Sequence, residues 1–351
     1  MKLTKLLRNG AAALAIATAA GFAAPAHAAT VSLVETGSSL LYPLFNLWVA
    51  SYTTAHTDVS ITTTSTGSGA GIAQSIQGLV QIGASDAYLS DAIVKAHPDM
   101  MSIPLGISSQ MINYNLPGIT NLRLSGPVLA GIYTGKITNW NDPAIAALNP
   151  GVTLPNHVIV PIHRIDGSGD TFIFSQYLAF SDANWASTEH FGTSISWPAV
   201  TGGIGANGNP GMVTALKNNP YGIAYIGISF ADQVKAANLG EAELLNKAGK
   251  FVLPTAKTIS AAAQSVASTT PADERISMVF APGADAYPIV NYEYAIVKAD
   301  QPDAATAKAI REFLSWCVQG GNVPTYLDKV HFMALPDAVK TLSVAQINKI
   351  K

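Results

Sequence analysis

One stretch decides the fold of this chain: His163-Arg164-Ile165-Asp166-Gly167-Ser168-Gly169-Asp170-Thr171-Phe172. It follows an apolar, β-branched run, Val158 to Ile162, which predicts a strand, and it leads into apolar residues at helical spacing, Phe172 to Leu178. The stretch is therefore a strand-to-helix turn. Its glycines allow close approach of the backbone, and Ser168 is placed to cap the helix. Because the free amides at a helix start attract anions, this turn predicts an anion site.

Two charged residues of the same turn fit this prediction. Arg164, at the end of the strand, can present a planar fork of donors to the anion, and Asp166 is placed to hold that fork by an ion pair. An ordinary surface pair is the alternative interpretation of Arg-x-Asp. Residues His163 to Asp166 also resemble a protein-kinase catalytic loop. No Asn follows at the required spacing and no kinase glycine loop or lysine precedes them, so we reject that interpretation.

Two earlier segments repeat the order of strand, Gly/Ser turn and helix. Val31 to Val34 predicts a strand that leads through the turn at Glu35 to Leu40 into a helix at Tyr42 to Tyr52. Val59 to Thr64 predicts the next strand, which leads through Gly67 to Gly71 into another helix. The glycine run alone is weak, because it lacks the Lys-Ser/Thr of a P-loop and the glycine spacing of a dinucleotide site.

A third short strand, Val80 to Ala84, delivers Asp86 at its carboxyl end. Taken alone, Asp86 could simply cap a helix. Three successive strands nevertheless present Ser, Gly or Asp at their carboxyl tips, which is where open α/β sheets bind ligands. The repeated pattern predicts one α/β ligand site.

The later chain predicts a second domain. Ile103 to Asn115 is too extended and too polar for a simple core strand, and we interpret it as a crossing between domains. Tyr287 to Val297 has the same character and would bring the chain back. Between them lie a glycine-rich loop at Gly202 to Gly211 and a strand at Gly222 to Ile226, and a helix is predicted at Asp303 to Cys317.

Residues 1–28 are interpreted as a cleavable signal peptide. They combine a basic start, an apolar run from Ala11 to Ala24 and the small-x-small pattern Ala26-His27-Ala28. No cysteine lies near the cleavage point to carry a lipid, so we expect a soluble extracytoplasmic protein. The 351 residues, 48% hydrophobic and 12% charged, suffice for two domains.

Composition also excludes several classes. Loss of residues 1–28 removes three basic side chains and no acidic one, which moves the net charge from −2 by three units to −5, and a net acidic protein is a poor trap for nucleic acid. The histidines show no metal-ligand spacing, and we expect no metal and no cofactor. The single cysteine, Cys317, allows no intrachain disulfide and is expected to be a free buried thiol.

Five segments together resemble the PstS-type phosphate-binding proteins of bacterial phosphate ABC transporters. They are Glu35 to Pro43, Thr66 to Gly71, Ile82 to Ala87, Trp140 to Ile145 and Arg164 to Thr171. The resemblance covers nearly the whole chain after residue 28. It implies a two-lobed α/β periplasmic-binding-protein fold of type II, with two hinge strands and the ligand in the interlobe cleft. Lobe I would comprise residues 29–106 and 285–351, and lobe II residues 107–284.

The resemblance also implies a site and a role. Inorganic phosphate would be bound with high affinity by Ser38, Ser39, Leu40, Ser68, Asp86, Arg164, Ser168, Gly169 and Asp170, with Asp166 behind Arg164. Asp170 stands where many members have Thr, so it either complements the helix start from outside the cleft or faces the ligand as a second acceptor. The protein would be a periplasmic monomer, not an enzyme, that delivers phosphate to the membrane permease and ATPase subunits of an importer.

Two other hypotheses stay open on the sequence. One is an extracytoplasmic phosphatase or phosphoryl-transfer enzyme on the same scaffold, with Ser168 or Ser68 as nucleophile, although neither lies in Gly-x-Ser-x-Gly. The other is a structural or adhesive secreted protein whose cleft is incidental.

Overall fold

The computed structural model describes residues 30–351, so the predicted signal peptide at residues 1–28 lies outside the described part of the chain. Within that part, eleven strands join in one sheet: β1 (Val31–Gly37), β2 (Val59–Ser65), β3 (Ile82–Ser85), β4 (Met100–Tyr114), β5 (Leu122–Leu124), β6 (Val160–Arg164), β7 (Ile204–Ala206), β8 (Gly222–Gly227), β9 (Gly240–Leu245), β10 (Phe251–Val252) and β11 (Val290–Lys298).

The helices of the same part are α1 (Tyr42–Ala55), α2 (Ser68–Gln77), α3 (Asp91–Ala96), α4 (Gly126–Tyr133), α5 (Pro143–Leu148), α6 (Gly169–Ser181), α7 (Ala183–Thr188), α8 (Gly208–Asn218), α9 (Ala231–Ala236), α10 (Ala256–Val266), α11 (Ala304–Val318), α12 (Pro324–Leu327) and α13 (Asp337–Ile347). The helices predicted at Tyr42, Phe172 and Asp303 correspond to α1, α6 and α11. None of the helices between residues 30 and 351 has both the length and the apolar character needed to cross a bilayer.

The sheet consists of two parallel groups joined through antiparallel strands. Its main path runs β2-β1-β3-β11-β4-β8-β6-β7, and β9 branches from β4 to pair with β5 and β10. Strand β1 pairs in parallel with β2 and β3, and β6 pairs in parallel with β7 and β8, whereas β4 and β11 run antiparallel to the strands beside them. Residues 100–109 of β4 pair with β11 and residues 110–114 pair with β8. One strand therefore belongs to both groups.

The structure corrects our interpretation of β4. The sequence suggested that residues 103–115 are too polar for a core strand, yet all 15 residues of β4 are buried. Several of its polar side chains are tolerated because at least one of their atoms has a partner, and a buried polar group is most costly when it is unpaired. Ser108 donates to Glu293, and Gln110 Nε2 donates to the backbone oxygen of Asp170 at 3.0 Å.

Strand β1 is longer than predicted. The sequence placed a turn at Glu35 to Leu40, but β1 continues through Gly37 because these residues pair with β2 on one side and β3 on the other. Only glycine fits its last position: φ is +144°, and a Cβ would lie 2.0 Å from the carbonyl oxygen of Ala84. The predicted loop at Gly202 to Gly211 likewise contains β7 and the start of α8.

A continuous hydrophobic core connects the two groups of strands. Its largest side chains include Trp48, Trp140 and Trp185, each fully buried, with the indole N–H donating to a backbone carbonyl at 2.8–2.9 Å. Burial of large apolar side chains stabilises the fold by roughly 1.5–3 kcal/mol each. Cys317 on α11 is buried and free, as predicted.

Candidate functional site

The turns that follow β1, β2, β3, β6 and β7 lie against one another, and we call them the turn cluster. The amide of Gly69, in the first turn of α2, donates to the carbonyl oxygen of Gly167 at 2.8 Å. A Cβ on Gly169 would lie 2.3 Å from Asp86 Oδ2 and 2.5 Å from Ser68 Oγ. The turn after β6, which the sequence singled out first, is thus packed directly on the turns after β2 and β3.

Ser38 holds the turn after β1 and the side chain of Asp86 together. Its Oγ donates to Asp86 Oδ1 and accepts from the amides of Leu40 and Leu41 at 3.1 and 3.0 Å. Leu40 is fully buried, and its carbonyl oxygen accepts from Ser229 Oγ at 2.8 Å. The backbone amide of Leu40, a residue that the resemblance implies as a ligand contact, therefore already has an acceptor in Ser38.

Asp86 lies directly after β3 with only 2% of its surface exposed. Its amide donates to Ser68 Oγ at 3.2 Å, which fixes the two residues side by side. Burial raises the pKa of Asp86 well above its ordinary value, and the neighbouring carboxyl groups of Glu293 and Asp170 raise it further, against the hydrogen bond from Ser38. The Asp86 carboxyl group is therefore a strong acceptor for a proton brought by a ligand.

Arg164 ends β6 with its guanidinium buried between two carboxylates. Its Nε donates to Asp166 Oδ1 at 2.7 Å, one Nη also contacts Asp166, and the other donates to Asp170 Oδ2 at 2.7 Å. Burial alone would lower the pKa of Arg164, but Asp166 and Asp170 outweigh it and raise the pKa. The predicted ion pair with Asp166 is confirmed, and the guanidinium is permanently charged.

Asp166 is held ionised in the same arrangement. It also accepts from the Gly208 amide, at the start of α8, at 3.2 Å. Burial would raise the pKa of Asp166, but the hydrogen bonds and charge of Arg164, together with the Gly208 amide, hold that pKa below its ordinary value.

Asp170 is part of the turn cluster and not an outer helix-end residue. It is 1% exposed; its Oδ1 accepts from Gln110 Nε2 at 3.1 Å, and its Oδ2 accepts from Arg164 and from Asn209 Nδ2 at 2.8 Å. The alternative that it lies outside the cleft is therefore wrong. Burial raises the pKa of Asp170 although Arg164, Gln110 and Asn209 favour its ionised form. The ion pair with Arg164 was not predicted.

Ser168 caps α6 as predicted. Its Oγ accepts from the Thr171 amide at 3.2 Å, and its own amide donates to the Thr193 carbonyl at 2.7 Å. The first amides of a helix have no partner within the helix, so those at Gly169 and Asp170 are available to an anion. The Oγ atoms of Ser168 and Ser68 each accept from a backbone amide, and neither has a histidine partner in the described residues.

Asn209, near the start of α8, is a residue of the turn cluster that the sequence analysis missed. Its amide and its Nδ2 both donate to Ser39 Oγ, at 3.1 and 3.0 Å, and its Oδ1 accepts from the Gly227 amide at 2.8 Å. Through Asp170 it also contacts the Arg164 network. The signal was present, since Gly208-Asn209-Pro210 follows a short strand and begins a helix, as the other turns do.

The turn cluster defines a chemistry for its ligand. Among the described residues it combines one guanidinium, helix amides and serine hydroxyls with the carboxyl groups of Asp86, Asp166 and Asp170, and Glu293 on β11 adds a fourth carboxyl group near Asp86. The amides and hydroxyls are neutral donors, and the charge of the guanidinium is balanced by carboxylates, so the site can bind an oxyanion. Because carboxyl groups outnumber cations here, an oxyanion that still carries a proton is favoured. Within residues 30–351, no group of three or more His, Cys, Asp or Glu side chains is arranged to hold a metal.

A sheet of two parallel groups with one oxyanion-type site at its strand ends defines a binding protein of the PBP class, and a family model described as "PBP superfamily domain" matches residues 23–320. Curated relatives named phosphate-binding protein PstS include those of Xylella fastidiosa, 35% identical over 308 residues (88% of this chain and 82% of the relative), and Methanocaldococcus jannaschii, 34% identical over 344 residues (92% and 87%). The chain belongs to the PstS family of phosphate-binding proteins.

Solved structures agree on the fold. One is described as a high affinity periplasmic phosphate-binding protein, PfluDING, bound with phosphate at pH 8.5; it is 23% identical, with a TM-score of 0.72 over 90% of this chain and 93% of that chain. The ancestral soluble variant of the Human Phosphate Binding Protein is 19% identical, with a TM-score of 0.71 over 92% and 98%. The predicted two-lobed α/β fold is confirmed.

Proposed function

We propose that this protein binds inorganic phosphate outside the cytoplasm and delivers it to an ABC-type phosphate importer. The observation that carries the proposal is the convergence of Asp86, Ser68 and Gly169 beside the buried guanidinium of Arg164. These groups supply one proton acceptor among several donors, which is what a partly protonated tetrahedral oxyanion requires. Membership of the PstS family supports the same ligand.

The proposed ligand groups are Ser38, Ser39, Leu40, Ser68, Asp86, Arg164, Ser168, Gly169 and Asp170, with Asp166 acting through Arg164. Some of these residues also orient a neighbouring side chain. Ser38 orients Asp86, and Asp170 orients Arg164, so each of these two supports a neighbour as well as contributing to the ligand environment. Each hydrogen bond to a charged group contributes about 1.5–3 kcal/mol net, so a few suffice for micromolar or tighter binding.

Selectivity would come from Asp86. Near neutral pH phosphate keeps at least one P–OH group, which can donate to the Asp86 carboxylate. Sulfate carries no proton and would place an unprotonated oxygen against that carboxylate. The resulting repulsion excludes sulfate without any difference in shape.

The proposed lobes are residues 29–106 with 285–351, and residues 107–284. Strands β4 and β11 support this division, because the chain passes between the two parallel groups of strands at or near them. They would be the hinge strands, and phosphate would close the lobes on each other.

The remaining parts of the proposal concern the setting. The sequence of residues 1–28 supports export to the periplasm, and the permease and ATPase subunits of the importer would be the partners of a monomeric protein. We propose no catalysis, because Ser68 and Ser168 have backbone amides and not a base as hydrogen-bond partners in the described chain.

Calorimetry tests the proposal. The purified protein should bind one phosphate with micromolar or tighter affinity, about −8 kcal/mol or more favourable, and should bind sulfate and molybdate far more weakly. Arsenate, which has the shape and protonation of phosphate, serves as the positive analogue. Absence of phosphate binding at millimolar ligand would refute the proposal. Release of phosphate from a generic ester would favour the phosphatase hypothesis instead.

A further inference from the structure

A second buried carboxyl group lies behind Asp86 and has no part in the proposed ligand contacts. Glu293, on β11, is fully buried. Its Oε1 accepts from Ser108 Oγ on β4 and from Asn291 Nδ2 at 3.0 Å. Its Oε2 has no hydrogen-bond donor within residues 30–351. A buried carboxylate oxygen without a hydrogen-bond donor destabilises the fold, so a proton at this oxygen would be stabilising.

The carboxyl group of Glu293 is near enough to that of Asp86 to raise the pKa of Asp86. Asn291 ties them together, because its Nδ2 donates to the backbone oxygen of Asp86 at 3.2 Å as well as to Glu293. Two ionised carboxylates this close would repel each other strongly. One proton between them gives both groups a partner and leaves a single negative charge.

The surroundings do not supply a cation to replace that proton. Strand β4 contributes the neutral Ser108, and the acidic group facing the pair from α6 is Asp170. Arg164 is already shared between Asp166 and Asp170. Burial raises the pKa of Glu293 to about 7. Hydrogen bonds with Asp86, Ser108 and Asn291 oppose this rise, and the charge of Asp170 adds to it.

We propose that Glu293 is a positioning residue that shares one proton with Asp86 and so sets the pH range in which the site accepts a protonated oxyanion. The inference rests on the proposed phosphate binding. When a P–OH group approaches, the shared proton moves to Glu293, and Asp86 presents a charged oxygen to the ligand. Loss of that proton adds a second negative charge that opposes the anion. Protonation of both carboxyl groups turns Asp86 into a donor and admits sulfate.

The variant Glu293→Gln tests this, since its amide donates permanently to Asp86 and cannot titrate. Phosphate and sulfate affinities are measured from about pH 5 to about pH 9 at fixed ionic strength. Above the pKa of the pair, the phosphate affinity of the wild type should fall more steeply with pH than that of the variant, by an additional factor of about ten per pH unit. At mildly acidic pH the wild type should bind sulfate measurably, and the variant should do so only at lower pH.

Glu274→Gln is the matched control. Glu274 is also fully buried, with its pKa raised by burial to about 7, but it accepts from Ser343 and Gln346 on α13 and does not contact Asp86. Its variant should keep the wild-type pH profiles. If all three proteins bind phosphate with parallel profiles, the inference is wrong while the proposed function stands.

A second measurement needs no variant. Above the pKa of Glu293, phosphate binding to the wild type should take up a proton, because the incoming negative charge raises the carboxyl pKa. Infrared difference spectroscopy should then show a gained band of a protonated carboxyl group, which protonation of phosphate itself cannot produce. Phosphate binding without such a band overturns the inference. No phosphate binding at all would refute the proposed function instead.

Discussion

Gly169→Ala should disable phosphate binding without unfolding the protein. The new Cβ would lie 2.3 Å from Asp86 Oδ2 and 2.5 Å from Ser68 Oγ, whereas ordinary contacts need roughly 3.5 Å or more. The turn after β6 must therefore move away from the turns after β2 and β3 by about 1 Å. We expect two ligand hydrogen bonds to be lost, at about 1.5–3 kcal/mol each, so affinity should fall by about 3–6 kcal/mol, which is at least a hundredfold.

The measurement is phosphate calorimetry together with small-angle scattering at saturating phosphate. If the lobes move as proposed, the clash affects the closed state alone, so the thermal unfolding of the empty protein should hardly change. Gly211→Ala, within α8, is the control, because its Cβ would meet Ala206 at an ordinary 3.8 Å. A Gly169→Ala protein that binds phosphate within threefold of wild type and compacts equally would refute the reasoning.

Four further predictions concern the candidate site and three glutamates with raised pKa values. Arg164→Ala should weaken phosphate binding by about 2–5 kcal/mol and lower the thermal stability, because Asp166 and Asp170 lose their cation. Arg164→Lys should rescue affinity only partly, and full rescue would show that the planar fork of the guanidinium is not used. Asp86→Asn should narrow the gap between phosphate and sulfate affinities, and unchanged competition by sulfate would place selectivity elsewhere. Asn209→Ala should reduce phosphate affinity by about 1–3 kcal/mol, since Ser39 and Asp170 each lose a donor; calorimetry that shows wild-type affinity would contradict it. Thermal stability should fall from about pH 5 to about pH 8. In the folded protein the pKa values of Glu241, Glu274 and Glu293 are raised to about 7 from the ordinary glutamate pKa of 4.5. The stability that these groups contribute is therefore complete below pH 4.5 and is lost as the pH rises through 7.

The groups with lowered pKa do not reverse that last sign. The partly buried Asp166, with its pKa held below 3.8, contributes stability that is lost only as pH falls below that value. The two effects therefore act in separate pH windows. A melting temperature that is flat or rising between pH 5 and pH 8, measured by scanning calorimetry, would contradict the raised pKa values of these three glutamates.

The turn after β6 could be predicted from the sequence because everything that shapes it is local. A β-branched run, two glycines and a serine three residues before Thr171 define the strand, the turn and the cap, and the Arg164–Asp166 pair spans only two positions. The turns after β1, β2 and β3 were found by the same signals. Local patterns therefore gave the fold class and the position of most candidate ligand groups.

The partners of those groups could not be predicted in this way. Glu293 and Asp86 are brought together by pairing of β11 with β3 and β4, and Gln110 reaches Asp170 from the middle of a buried strand. A single sequence does not specify such long-range pairings. The polar residues of β4 and β11 argued against core strands in the sequence. In the structure, Gln110 of β4 and Glu293 of β11 lie beside the candidate site.

The amide of Gly69 and the carbonyl of Gly167 join the turns through main chain alone. Such a contact is indifferent to which side chains surround it. Replacement of Ser39, Ser68 or Asp170 could redirect the site towards another tetrahedral anion while the two backbones still met at the same distance. The contact between the two turns depends on the backbone, whereas the ligand contacts depend on side chains. The ligand specificity of this fold can therefore change in evolution while the closing motion stays the same.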